Sequence, residues 1–281
     1  MEYGFVLPGG TAAEQLAQAR LAEEAGWDGV FVWEAGYGVD AWSLLAAMAA
    51  RTSLVKLGTL LTPLPWRRPW KVASQVMTLD QISGGRAILT VGLGALATDL
   101  PDTGEVTDLR TRAEMLDEGI DLIRGLWGGR QSFRGQHYTY ECARDDLAQM
   151  ARPVRDRIPI WVVGAWPRPK SMRRAALQDG WLPNYVVAPG QERGEWTPAL
   201  LGEGVEWIRR ERAGHGLSMD GYEIVAEGFT SADDPDPAAT VGPWAAAGAT
   251  WWIDADWSSM DPAEVRAAAE RRLQAGPPRV D

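Results

Sequence analysis

The chain has 281 residues, 46% hydrophobic and 23% charged, which is enough apolar side chain for one large core and not the composition of a disordered segment. Its 38 acidic against 28 basic residues give a formal net charge of -10, excluding a general electrostatic affinity for nucleic acid or anionic membranes while leaving room for a local phosphate site. Cys142 is the one cysteine, so neither an intrachain disulfide nor a multi-cysteine metal site can form, and a buried thiol in a reducing compartment is expected. No signal-peptide pattern opens the chain and no apolar run reaches the roughly 20 residues of a membrane span, so the expected location is the cytoplasm.

Residues 3–7 read as a strand, 8–10 as a Gly-rich turn and 11–25 as a helix. Thr11 and Glu14 form its capping box, Ala13, Leu16, Ala17, Leu21 and Ala25 its expected inner face, and Gly26 its stop. The apolar residues 29–33 form the second strand. Asp40 caps a helix over 41–51, residues 55–61 are the third strand, and Pro69 opens a helix over 70–79 that ends before Gly84-Gly85. After a fourth strand at 87–91 comes a long helix with Ala113, Leu116, Ile120, Ile123 and Trp127 spaced by threes and fours. Residues 131–140 read as a hairpin and 143–157 as an irregular, charged connection. Four more strand-helix units follow: 158–163 with 171–177, 181–187 with 197–212, 222–229 with 241–247, and 250–254 with 262–273. Asp261, Pro262 and Glu264 open the last helix.

Strands apolar on both faces, each followed by a helix, imply a parallel sheet covered on both sides. Eight such units with no linker-like tract predict a single (β/α)8 TIM barrel over residues 1–281, a length that fits the fold. An open doubly wound sheet is the alternative. Barrel enzymes place chemistry on the loops after the strands, which narrows the candidates to Trp33, Glu34, residues 59–65, Gly92 to Gly94, residues 164–171, Asn184, Glu227 and residues 252–256.

Gly92-Leu93-Gly94-Ala95-Leu96-Ala97 has the spacing of a dinucleotide fingerprint, but Asp99, Pro101, Asp102 and Gly104 continue a loop where that motif needs a helix. A tight turn, or backbone approaching a flat ring, is the better reading. Gly164-Ala165-Trp166-Pro167-Arg168-Pro169-Lys170-Ser171 joins the fifth strand to its helix and fits a phosphate cradle or an ordinary solvated loop. Among 15 tryptophans, Trp33, Trp66, Trp166, Trp252 and Trp257 fall near strand ends. There they either pack the core or wall an aromatic cofactor or apolar substrate; Trp33, Trp66 and Trp252, with Asn184, are the candidate pocket walls. His137 and His215 end no strand, no cluster has metal-ligand spacing, and no G-x-S-x-G elbow occurs. Glu34 is the best-placed carboxylate for proton transfer, a cap or loop salt bridge being its other reading.

Several motifs in order carry a resemblance: Thr52-Ser53-Leu54-Val55-Lys56-Leu57-Gly58-Thr59, Arg68-Pro69-Trp70-Lys71-Val72-Ala73, Leu79-Asp80-Gln81-Ile82-Ser83-Gly84-Gly85-Arg86 and Val91-Gly92-Leu93-Gly94. Arg112-Ala113-Glu114, Pro159-Ile160-Trp161-Val162, Asp179-Gly180-Trp181-Leu182-Pro183 and Gly248-Ala249-Thr250-Trp251-Trp252 extend it over nearly the whole chain. This resembles the luciferase-like monooxygenase family of flavin- and F420-dependent oxidoreductases. The resemblance implies a (β/α)8 barrel binding FMN, or alternatively the deazaflavin F420, at its strand ends. It places Thr59, Leu60, Leu61 and Thr62 by the ring, Gly92, Leu93 and Gly94 beside it, and Gly164, Ala165, Trp166, Lys170 and Ser171 around the phosphate. It further implies a small or medium organic substrate, a separate reductase and a homodimer. Relatives often read Trp-Asp-His after the second strand where this chain has Trp33-Glu34-Ala35, so the usual imidazole is absent. A barrel that binds without redox turnover, and one catalysing cyclisation or isomerisation with Glu34, are therefore the competing expectations.

Overall fold

The computed structural model describes the chain apart from residues 99, 143–151, 188–193, 258–260 and 281. Its elements run β1 (Glu2–Val6), α1 (Ala12–Glu24), β2 (Gly29–Val32), α2 (Ala41–Ala49), β3 (Lys56–Thr59), β4 (Thr62–Pro63), α3 (Pro69–Ser83), β5 (Ala87–Gly92) and α4 (Leu109–Trp127). A hairpin, β6 (Ser132–Arg134) and β7 (Thr139–Glu141), precedes β8 (Ile160–Trp166), α5 (Pro169–Ala176), β9 (Gly180–Tyr185), α6 (Pro198–Gly214), β10 (Glu223–Gly228), α7 (Pro237–Ala246), β11 (Trp251–Asp254) and α8 (Pro262–Gln274). With β3 and β4 taken as one interrupted strand and the hairpin set aside, strand and helix alternate in the order of a (β/α)8 barrel. The expected irregular connection at 143–157 falls for the most part outside the described residues.

Local chemistry explains most boundaries. Thr11 and Glu14 make both bonds of the capping box on α1, and Asp40 and Asp261 cap α2 and α8 through their carboxylates. Pro69 sits in the first turn of α3, which runs on to Gly84; that residue ends it in the left-handed conformation, φ 65°, which costs glycine nothing. Four expectations need correction. In α1 the buried residues are Gln15, Gln18, Ala19 and Ala22, not the face from Ala13 to Ala25: alanine surrounds this helix, so spacing alone does not set its rotation. The third strand stops at Thr59 and resumes at Thr62. The fifth extends to Trp166, because its ladder with β9 continues to the pair Trp166 and Tyr185. Helix α7 begins four residues early because Asp236 caps it and Pro237 occupies its first turn.

The chain forms two compact units, Met1–Phe31 with Pro159–Asp281, and Val32–Ile158. In the first, β2, β1, β11, β10, β9 and β8 are joined in that order by parallel pairing. Paired residues share a face, so one face carries Phe31, Trp161, Val225 and Trp251, whose aromatic rings pack at 5.1–5.9 Å. Gly180 lies on this face where a Cβ would land on the Trp161 indole. The opposite face carries Trp181, Trp252 and Asp254 toward the helices: Trp181 against Gly204 of α6, Trp252 against Trp244 of α7, Asp254 against Arg272 of α8.

In the second unit β5 pairs in parallel with β3 and β4. Helix α4 buries Leu116, Ile120 and Ile123 as its spacing predicts, with Leu122 and Arg112 also buried. Asp80 of α3, wholly buried, accepts from the amides of Val154 and Arg155 and pairs with the Arg155 guanidinium at 3.3 Å. The hairpin is held by Glu118, whose carboxylate accepts from the amides of Gln136, His137 and Tyr138. Cys142, just past the hairpin, is partly exposed and not the buried thiol expected. Among the described residues no helix is long and apolar enough to cross a membrane.

Candidate active site

In the second unit, the strand ends converge on Glu34. Helix α2, started by Asp40, delivers Trp42, whose indole N–H donates to Glu34 Oε1 at 2.5 Å. The break after β3, where the Leu60–Leu61 peptide is cis, brings Thr62 Oγ1 to the same oxygen at 2.8 Å. A 3-10 turn over Leu64–Trp66 then presents Arg67, which pairs with Oε2 at 3.0 Å and donates its other nitrogen to Gln75. Burial pushes the Glu34 carboxyl above the usual range while Arg67, Thr62 and Trp42 pull the other way. Three donors from separate segments thus meet one buried carboxylate.

Thr59 and Thr62 are fully buried, their hydroxyls 2.9 Å apart in the chain that ends on Glu34. Leu60 is buried, and Leu61 keeps part of its surface open. Gly92 is buried at the end of β5; Leu93 and Gly94 are half-buried. Arg112, 4% exposed, donates to the carbonyls of Leu93 at 3.2 Å and Gly94 at 3.0 Å and lies over the Trp66 ring. Gly94 has φ 79°, and a Cβ there would run into Trp66 and Pro63, so this turn admits glycine alone. Trp66, itself buried and donating to the Val106 carbonyl at 2.8 Å, backs the turn. Trp33 is 42% exposed.

In the first unit, the strand after which a phosphate cradle is expected is partly committed to the fold. The Gly164 carbonyl accepts from the Trp181 indole at 3.0 Å, and a Cβ at Gly164 would strike that ring. The Ala165 amide donates to Ser171 Oγ at 2.9 Å and the Arg168 amide to the Ala165 carbonyl. Trp166 is half-buried, while Arg168 and Lys170 stand exposed at the start of α5. Trp252, read as a pocket wall, is 1% exposed and wedged against α7: the alternation of β11 turns Trp251 to the inner face and Trp252 away from it.

Open surface on the inner face lies elsewhere. Val163 and Ala165 of β8 pair with Leu182 and Asn184 of β9; Val163 and Ala165 are half-buried and Asn184 is exposed. Glu227 of β10 shares this face through the register that pairs it with Ile253, and accepts from the Trp257 indole at 2.6 Å. Loss of water around it pushes its carboxyl above the ordinary glutamate value, opposed by that one hydrogen bond. Glu227 is among the strand-end candidates of the sequence, where an acidic residue two positions beyond Val225 lies on the inner parity of an apolar strand. Arg112 stands in a motif of the family resemblance, but its hold on the Leu93 and Gly94 carbonyls has no local signal. His137 binds Glu114 at 3.1 Å within the hairpin region and His215 the Glu211 carbonyl. Among the described residues no His, Cys, Asp and Glu cluster could hold a metal ion.

A family model described as luciferase-like monooxygenase matches residues 2–276, and the chain belongs to that family. It is 31% identical over 211 residues to the F420-dependent glucose-6-phosphate dehydrogenase of Nakamurella multipartita, an alignment covering 69% of this chain and 60% of that one. To the enzyme of the same name from Nocardia farcinica it is 30% identical over 266 residues, covering 90% and 74%. The chain thus spans less than two thirds of the first of these relatives. Among solved structures, the F420-dependent tetrahydromethanopterin reductase of Methanopyrus kandleri superposes with a TM-score of 0.73 at 19% identity, covering 98% of both chains. A monooxygenase of Streptomyces bottropensis superposes with 0.76 at 18% identity and the same coverage. These likenesses show the fold, the (β/α)8 barrel.

Proposed function

We propose that the chain is an F420-dependent oxidoreductase exchanging hydride with a small or medium organic alcohol or carbonyl compound. The observation that carries this reading is the roughly 30% identity, over 69% and 90% of the chain, to proteins named as F420-dependent dehydrogenases. FMN, the first expectation from the sequence, is named in likenesses of 15% and 21% identity, which speak to fold alone.

The residues fit a flat polar heterocycle and a phosphate, each on its own. At the end of β5, Arg112 draws the Leu93 and Gly94 carbonyls to itself, and the half-buried turn offers main chain without a side chain to the edge of a ring. At the start of α5, Arg168, Lys170 and the first amides of the helix suit an anion, although Ser171 and Ala165 are already bonded to one another. The deazaflavin, when bound, supplies a two-electron hydride carrier. The chain's own work is to hold the ring, keep water out and manage the substrate proton. The test is to mix the protein with oxidised F420 and a panel of sugar phosphates and secondary alcohols. Loss of the cofactor's visible absorbance with one substrate class supports the reading; bound cofactor left oxidised by every member, and reduced cofactor left unchanged by the matching carbonyls, contradicts it.

A further inference from the structure

We infer that Glu227 is the residue that exchanges a proton with the substrate oxygen, and that the Trp257 indole N–H holds its carboxylate until that oxygen takes its place. This rests on the proposed hydride chemistry and names the residue that completes it.

Several buried carboxylates of the chain are already spent on structural contacts. Glu34 is fixed by Arg67, Thr62 and Trp42. Asp254 faces the helices and is engaged by Thr230 and by Arg272 at 3.4 Å. Asp80 is consumed by Val154 and Arg155. Glu227 differs on each count. It lies near the C-terminal end of β10, on the sheet face where Val163, Ala165 and Asn184 keep open surface. Among the described residues the one hydrogen-bond partner of its carboxylate is Trp257, which is 57% exposed and follows the end of β11.

Among the described residues no cation pairs with the Glu227 carboxyl. On its own strand and face, Glu223 is bound to Thr250 at 2.5 Å. On β11, Ile253 and Ala255 share its face and Asp254 points the other way. Asn184 is the polar residue on β9, and Asp256 precedes Trp257. A carboxyl that is desolvated and unpaired by charge takes and returns a proton more readily than one locked in an ion pair. A bound deazaflavin would supply the two-electron acceptor for the hydride leaving the alcohol carbon; the O–H proton would go to Glu227 Oε as the carbonyl forms, and reduction would return it.

The test reads Glu227 first without cofactor. Tryptophan emission is titrated from pH 4 to 8 in the wild type, Glu227→Gln and Trp257→Phe, each checked for folding by circular dichroism. A step above the ordinary glutamate range, lost in both variants, supports the assignment; a step that survives Glu227→Gln, or no step dependent on Trp257, overturns it. F420 affinity is then measured separately. Unchanged affinity in Glu227→Gln with turnover reduced about 100-fold or more supports the role, and unchanged turnover sinks it. Absence of F420 binding in the wild type, with the emission step intact, would instead count against the cofactor reading.

Discussion

Glu34 and Glu227 are both strand-end carboxylates pushed above the usual glutamate range by burial, yet the two regions use them differently. In the second unit, Glu34 gathers Arg67, Trp42 and Thr62 from three separate segments and ties them together. In the first, Glu227 meets a single indole on a largely exposed residue. Desolvation is common to both; what separates the two is how many donors already claim the charge.

Substitutions sharpen that contrast. The largest loss is expected where the ties are most buried. Arg272→Met strands Asp254, with Asp254 wholly buried and Arg272 2% exposed, and should cost about 3–5 kcal/mol in denaturant unfolding. Gly94→Ala forces a side chain into the positive-φ turn against Trp66 and should cost about 2–3 kcal/mol while weakening cofactor binding. Glu34→Gln keeps the shape but removes the charge from Arg67, whose side chain is 28% exposed; a loss of about 1–3 kcal/mol is expected, with residual activity in the protein that stays folded. If Glu34→Gln were as stable as the wild type but inactive, the contrast would be inverted.

The smallest effect, and opposite in sign, belongs to Glu227→Gln. The folded value of Glu227 lies above the unfolded one, about 4.3, so its contribution to stability is fully present below the unfolded value and is lost as pH rises through the folded value. Glu227→Gln should then match or slightly exceed wild-type Tm at neutral pH. The advantage should disappear in scans near pH 4. Greater stability with lost turnover is the behaviour of a group kept for function.

Much of the fold is legible because its signals are local. Thr11 with Glu14, Asp40, Pro69 with Gly84, and Asp261 mark helix ends by chemistry that acts within a turn. The face of α1 is not, since alanine on all sides leaves the rotation to contacts such as the Gln15 amide on the Gly10 carbonyl. The candidate site divides in the same way. Gly94 can be picked out from its motif, but the carbonyl clamp by Arg112 joins residues 18 positions apart. Glu34 stands out by position, yet its commitment to Arg67 depends on a partner 33 residues away. Trp252 looks like a wall until the alternation of β11 is fixed by its neighbours, which turns Trp251 inward and Trp252 to α7.

The measurement that bears most directly on the proposed function is an equilibrium titration of the purified protein with F420 and, in parallel, with FMN. F420 binding in the micromolar range or tighter, about -8 kcal/mol or more favourable, with FMN at least tenfold weaker and Gly94→Ala impairing the binding, is the predicted result. Tighter binding of FMN, or binding of neither, would contradict it.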